Sequence, residues 1–443
     1  MKKFALISSI IIAFCITYIS SFAQNYWEER EKVKSLSVQE TNRPMRTLYH
    51  LTLTVGQTEG DIIGNDDKII QAGIEYLNRL GGGTLHILPG VYDIKNAIYL
   101  HPNIVIKGSG ENTILKKSAC FVTPVIRNID WFEYGVQVKD PSGFILGGGI
   151  MLRTTAKQSW AIDVMKGTVT KIDGSIIYFD KITGKDFHLK KECTAATIFP
   201  IITAENVDNV NVENIVLDGN KDQNENINGN FSGALFIQHC KNWNFKNVTA
   251  ENYNGDGFSW QACDDIHFEN CKALNNTDLG FHPGSGAQRP VIINCLSKGN
   301  SQGIYFCWSV SDGFVDNCVL SENIKYGISI GHRDTDNIIQ NCIIEKNKEI
   351  GILFRKDGDD EFFGGNRNLI KNCIIRDNGE NKEGIGIDVR WNTKDITIEN
   401  TKFINSESGN QKIGIQISKD AEKINMVGNA FEKITINVKN LKE

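Results

Sequence analysis

The chain has 443 residues, with 48 Lys and Arg against 53 Asp and Glu and a formal net charge of −5. That balance offers no basic field for nucleic acid and excludes it as a partner. The 41 Gly beside only 8 Pro fit a many-turned β protein rather than a disordered one.

Residues 1–24 open with Lys2 and Lys3, run apolar from Phe4 to Ile19 and close on Ser21-Phe22-Ala23. Small residues at the −3 and −1 places predict a signal peptide cleaved after Ala23, so the mature chain is expected in the periplasm or secreted. Cys15 follows Phe14 inside the apolar run, which does not suit a lipoprotein anchor. No second apolar stretch approaches the ~20 residues a spanning helix needs, so no membrane insertion is expected after signal cleavage.

Residues 25–124 read as an N-terminal cap with the first turns of a coil. From Asp67 to Asn78 the apolar residues Ile69, Ile70, Ile74 and Leu77 have helical spacing after an acidic start, and Gly81-Gly82-Gly83 ends the helix. Short strands follow at Thr84–Leu88, Val91–Ile94 and Val105–Lys107. Residues 125–203 break the pattern and predict a small β insertion, with a hairpin around Asp173-Gly174. The insertion would either wall a groove or decorate the coil.

Residues 204–443 carry the repeat. Gly recurs at 233, 257, 280, 303, 327, 351, 386 and 414, and Asn follows at 247, 270, 294, 317, 341, 372, 400 and 429. Short alternating segments at a fixed period, without helical spacing, predict a parallel β-solenoid. Alternation puts Phe258, Phe281, Ile304, Ile328, Ile352, Ile387 and Ile415 in one inward column. It turns Ser259, His282, Tyr305, Ser329, Leu353, Asp388 and Gln416 towards solvent. The Asn column suits corners with left-handed backbone. Cys271, Cys295, Cys318, Cys342 and Cys373 directly follow ladder Asn residues and read as stacked small apolar side chains.

The string from Asp66 to Lys116 includes Gly81-Gly82-Gly83-Thr84, Leu88-Pro89-Gly90-Val91-Tyr92, Gly108-Ser109-Gly110 and Thr113-Ile114-Leu115. It resembles the N-terminal part of the pectate-lyase-like right-handed parallel β-helix superfamily. With the turns from Val207 to Val438, the resemblance covers about two thirds of the chain. It implies an all-β, single-stranded right-handed parallel β-helix with an N-terminal capping helix. The superfamily holds polysaccharide lyases, hydrolases, uronate epimerases, oligosaccharide dehydratases and tailspikes, so the fold does not select one activity.

The outward column is where chemistry is expected. His282 and Tyr305 fall on adjacent turns, and His332, Arg333, Arg355, Lys356, Arg390 and Trp391 continue the line along the same strands. This mixture suits a uronic acid. Cations would neutralise the substrate carboxylate and acidify the C5 proton, and a neutral His or a Tyr would remove it as the C4 group leaves. The expected roles are His282 as base, Tyr305 as acid or second base, and Arg333 and Arg355 as carboxylate clamps, supported by His332 and Lys356. The expected activity is β-elimination on an acidic poly- or oligosaccharide, by polymer cleavage or by dehydration of chain ends.

Two rival readings stay open. Asp256 and Asp278 open consecutive turns, partly resembling the acids of polygalacturonase-type inverting hydrolases, although they serve equally to orient His282 or bind a sugar hydroxyl. Those enzymes also show an in-register Asp-Asp pair, a Gly-His-Gly and an Arg-Ile-Lys. Here Asp264-Asp265 is out of register, the third turn reads Gln302-Gly303-Ile304, and no Arg-Ile-Lys occurs. The other rival is a non-catalytic glycan-binding solenoid. Asp218–Asp222 and Asp357–Glu361 space oxygen ligands closely enough for a divalent cation such as Ca2+, but neither matches the calcium-loop pattern and both read as solvated acidic loops.

Overall fold

The computed structural model describes residues 51–356, 364–380 and 383–441. The signal segment and the acidic stretch Asp357–Glu361 lie outside the described residues.

From Asp256 to Glu432 each turn of the coil supplies three short strands. In one turn these are Asp256–Gln261, Asp264–Glu269 and Lys272–Leu274, and the next turn begins at Leu279–Gly284. The first strand joins an 11-stranded sheet, and the other two join a 22-stranded sheet. Pairing along the coil is parallel and follows the predicted register. Phe258 faces Phe281, Phe281 faces Ile304, and Ile304 faces Ile328. This column continues through Ile352, Ile387 and Ile415, all fully buried.

Glycine recurs because successive turns nearly touch there. A Cβ on Gly303 would lie 2.4 Å from the carbonyl oxygen of Gly327, closer than non-bonded atoms approach. The Asn column sits at exposed corners with left-handed backbone, φ being 54° at Asn270, 56° at Asn294 and 51° at Asn317. The amide of Asn317 donates to Asn294 Oδ1 at 2.7 Å. The cysteines stack as free buried thiols, with the Cys271 and Cys295 backbone N–H groups pointing at the sulfurs of Cys295 and Cys318, 3.3 and 3.4 Å away.

A second ladder escaped the sequence reading. Asn276, Asn300, Asn323, Asn347 and Asn378 are buried at another corner. There Asn323 Nδ2 donates to Asn347 Oδ1 at 2.8 Å, Asn347 to Asn378 at 2.9 Å, and Asn378 to Gln411 Oε1 at 2.7 Å. Each amide also satisfies a main-chain carbonyl, as Asn347 does for Leu320.

The N-terminal helix spans Asp67–Arg79, with Asp66 as its cap accepting from the Lys68 N–H. Its Gly73 packs so closely on Leu85 that a Cβ would lie 2.5 Å from Cδ1. The insertion is a six-stranded antiparallel sheet running from Val122–Pro124 to Thr194–Ala196. It has its own core of Val136, Ile150, Leu152, Ile177 and Phe187. The hairpin joins Val164–Asp173 to Ile176–Phe179, with Gly174 at φ 58° in the turn. The chain rejoins the coil at Ile202–Glu205, which pairs with Ile98–Tyr99 and Gly233–Gln238.

The outward column corrects one expectation. Its register is as read, with Ser259 facing His282 and Tyr305 facing Ser329. Its exposure is not, because Ser259, His282, Ser329, Leu353 and Asp388 are buried. Loop residues cover that face: Ser259 Oγ donates to Gly229 O at 2.7 Å, and the Arg355 guanidinium lies over Ser329 Oγ at 3.3 Å.

Candidate active site

Three neighbouring strands, Asp256–Gln261, Leu279–Gly284 and Gln302–Tyr305, bring the central side chains together. Asp256 is fully buried at the head of the first. Its Oδ1 accepts the Leu279 N–H at 3.0 Å, and its Oδ2 lies 2.7 Å from His282 Nδ1. The pair fixes the imidazole, leaving the other ring nitrogen, Nε2, buried with no hydrogen bond of good geometry.

Burial alone would push the His282 pKa down, but the charge and hydrogen bond of Asp256 outweigh it, and the Cys307 sulfur adds to the upward shift. The net shift is upward, which favours the imidazolium and differs from the neutral base expected for His282. Tyr305, one strand further, sets its ring edge-on to the imidazole, with centroids 5.6 Å apart and planes at 79°. Asp278 accepts from Asn226 Nδ2 at 2.9 Å. Burial, reinforced by the Asp256 charge, lifts its pKa to about 6.

Arg355 is not the expected outward clamp. It is buried, donating from Nη2 to Phe306 O at 2.7 Å and meeting Asp334 Oδ2 at 3.4 Å. Its guanidinium carbon lies 4.1 Å from the centre of the Tyr305 ring. Arg355 thus supports Tyr305 from behind. Asp334 also accepts the Gly331 and Val310 N–H groups, shaping the turn that holds His332 at φ 49° and Arg333 at φ 68°. That turn stacks the buried His332 ring on Trp308, with centroids 3.7 Å apart and planes at 5°.

Asp256, Asp278, His282, Tyr305 and His332 line one cavity of about 750 Å³. Arg333, Arg355, Lys356, Arg390 and Trp391 are not among its lining residues. Arg333 is exposed on the turn. Lys356 Nζ sits 4.0 Å above the Trp391 ring, and Arg390 Nε donates to Asp388 Oδ2 at 2.7 Å.

The sequence reading missed much of the wall. Ser159 and Trp160 come from the insertion, which therefore walls the cavity rather than decorating the coil. Asn226, Asn228 and Asn230 come from the loop before Gly233–Gln238, and Lys325 is the cavity's lone Lys or Arg among the described residues. A run of alternating Asn in Asn224–Asn230 was the available signal, but a loop has no period to place it. Among the described residues no group of three His, Cys, Asp or Glu converges as metal ligands. In the Asp218 stretch, the carboxylate instead accepts the Asn220 N–H at 3.0 Å, as in an Asx turn.

A family model described as a right handed beta helix region matches residues 232–359. The chain is a right-handed parallel β-helix. Among solved structures, this β-helix is similar to the A-module of the Azotobacter vinelandii mannuronan C-5 epimerase AlgE6, with 16% identity and a TM-score of 0.56. That match covers 85% of this chain and 92% of the module. The AlgE4 A-module from the same organism gives 15% identity and a TM-score of 0.54, covering 87% of this chain and 97% of the module. PfbA, a surface adhesin of Streptococcus pneumoniae, gives 14% identity and a TM-score of 0.51, covering 85% and 90%. At such identities the likeness is one of fold. No curated protein gives a significant sequence match.

On this β-helix the cavity combines a buried imidazole–carboxylate pair, a phenol backed by a guanidinium, a partly buried carboxyl and one lysine, with two exposed indoles in its lining. Trp160 and Trp308 are 60% and 50% exposed, leaving flat apolar faces at the rim.

Proposed function

We propose that the protein is an exported carbohydrate-active lyase that abstracts the C5 proton of a uronic acid residue and eliminates the group at C4. The observation that carries this reading is the buried Asp256–His282 pair abutting Tyr305 in a cavity that also holds Lys325. The amino-terminal apolar run behind Lys2 and Lys3 supports export.

In this reading Lys325 binds the sugar carboxylate, and the faces of Trp308 and Trp160 hold the chain at the rim. Tyr305 removes the C5 proton. Tyr305 acts as its phenolate, which the Arg355 cation against its ring favours, and becomes a neutral phenol as it takes the proton. His282, held as an imidazolium by Asp256, donates from Nε2 to the departing oxygen. The C5–H and C4–O bonds break, a C4=C5 double bond forms, and the pair passes one proton to the leaving group. An inverting hydrolase needs two carboxyl groups facing the scissile bond across a water. Asp256 has one oxygen on His282 and the other on the Leu279 N–H, so the arrangement favours elimination.

The test is to incubate the purified protein with pectin, alginate, ulvan and their oligomers and follow the ultraviolet absorbance of an unsaturated uronate. A rise with new reducing ends reports polymer cleavage, and a rise without them reports dehydration of chain ends. New ends without absorbance would move the assignment to hydrolysis. Deuterium uptake at C5 from heavy water without absorbance would mean epimerisation, and no change on any glycan would leave a binding function.

A further inference from the structure

Cys307 differs from the stacked cysteines. In Cys271, Cys295, Cys318, Cys342 and Cys373 the sulfur contacts main-chain carbonyls inside the coil, as Cys271 Sγ does with Glu269 O at 3.4 Å. The Cys307 sulfur has no such partner among the described residues. It lines the same cavity as His282 and Tyr305.

The register explains its position. Cys307 bridges to Gly284 on the previous turn, so it shares a strand face with Tyr305 and lies diagonally across from His282. Gly284 brings no side chain between the sulfur and the imidazole. His282 Nε2 is buried, makes no hydrogen bond of its own and belongs to the same cavity wall, an independent sign that this spot accepts an incoming group.

We propose that Cys307 is a nucleophilic thiol, activated by the His282–Asp256 pair and open to covalent modification by small soft electrophiles that enter the cavity. A thiol beside an imidazole that a carboxylate orients is the arrangement in which sulfur attacks most readily. With iodoacetamide, the thiol proton goes to solvent, the imidazolium steadies the thiolate, the sulfur bonds to the methylene carbon and iodide leaves. The added group projects into the cavity that His282 and Tyr305 also line and obstructs it for other ligands. This inference rests on the cavity geometry and not on the glycan chemistry, so its test needs no substrate.

Treat the native full chain with iodoacetamide and map labelled peptides by mass spectrometry over time. Cys120, which is more exposed and not among the cavity's lining residues, serves as the internal control. Cys307 is expected to label before the stacked cysteines, and His282→Gln to slow it by about tenfold or more while leaving the Cys120 rate unchanged. In the unaltered protein Cys307 should label faster than Cys120, although it is the more buried of the two. That second measurement stands even if His282→Gln unfolds. Labelling of Cys307 only after denaturation, or no faster than Cys120 in the native chain, would overturn the proposal.

Discussion

Asp256 and His282 lie on adjacent turns of the coil, 26 residues apart in sequence, and meet through a 2.7 Å contact between Oδ2 and Nδ1 with both side chains buried. The carboxylate does two things for the imidazole: it selects which nitrogen faces the cavity, and it keeps the ring protonated against the pull of burial.

Replacing Asp256 by Asn should remove the charge and leave one acceptor oxygen where two now serve the Leu279 N–H and His282 Nδ1. The His282 pKa then falls, because burial acts unopposed. The alkaline limb of the activity profile should move to lower pH, and turnover at neutral pH should drop by about 100-fold or more, as expected for loss of a general acid. A kcat profile across pH checks this; an unmoved limb would mean that another group carries the proton.

Tyr305→Phe and Arg355→Met should separate chemistry from support. The first removes only a hydroxyl and should abolish turnover with little change in thermal midpoint. The second leaves the buried Asp334 carboxylate without its guanidinium and should cost about 3–5 kcal/mol of stability besides activity. Equal thermal midpoints for the two variants would contradict the buried role of Arg355.

Much of this arrangement was legible in the sequence, because a solenoid converts residue spacing directly into spatial neighbours. Gly280 to Gly303 and His282 to Tyr305 share one 23-residue step, so the adjacency of imidazole and phenol followed from counting. What counting did not give was the layer outside the sheet. Asn226, Lys325 and Trp160 reach the cavity from irregular loops and the insertion, where no period applies. For the same reason Arg355, read as outward by alternation, is buried instead: the strand ends at Phe354 and the side chain turns back over Tyr305. The buried Asn276–Asn378 ladder was hidden by the more regular exposed column, although its residues recur at a similar step.

Lys325→Met should raise KM for an acidic oligosaccharide by about tenfold or more while changing kcat less, since a carboxylate anchor acts mainly in binding. The same variant should flatten the dependence of KM on salt. A neutral oligosaccharide bound equally by both proteins would serve as the control, and an unchanged KM for the acidic one would remove Lys325 from substrate recognition.

Asn347→Leu tests the interior ladder. It strips a partner from the Asn323 amide, from the Asn323 N–H and from the Leu320 carbonyl, all buried. Each orphaned group costs about 1–3 kcal/mol, so the variant should unfold at markedly lower urea concentration or fail to fold. The exposed counterpart Asn317→Ala, whose amide reaches only Asn294 among the described residues, should lose far less. Comparable losses would place the two ladders on an equal footing.

Lys117 gives the fold its own pH signature. Its ammonium is buried against the Phe199 ring at 4.1 Å, with Thr197 O and Asn224 Oδ1 as acceptors at 3.1 and 2.5 Å, and burial lowers its pKa to about 7. In the unfolded chain a lysine titrates near ~10.4. Between those values the unfolded state binds more protons, so the contribution of Lys117 to stability rises with pH across that window and is smallest below pH 7. His282 works the other way, because its raised pKa adds stability that is fully present below ~6.5 and fades as pH climbs through its folded value. The two trends offset in the intact protein, and a difference measurement isolates one of them. Urea unfolding of Lys117→Met beside the unaltered chain should show the variant gaining most at pH 6 and its relative advantage shrinking steadily towards pH 10. Parallel curves across that range would mean that Lys117 is charged in the fold, held by its two acceptors and the aromatic face despite its burial.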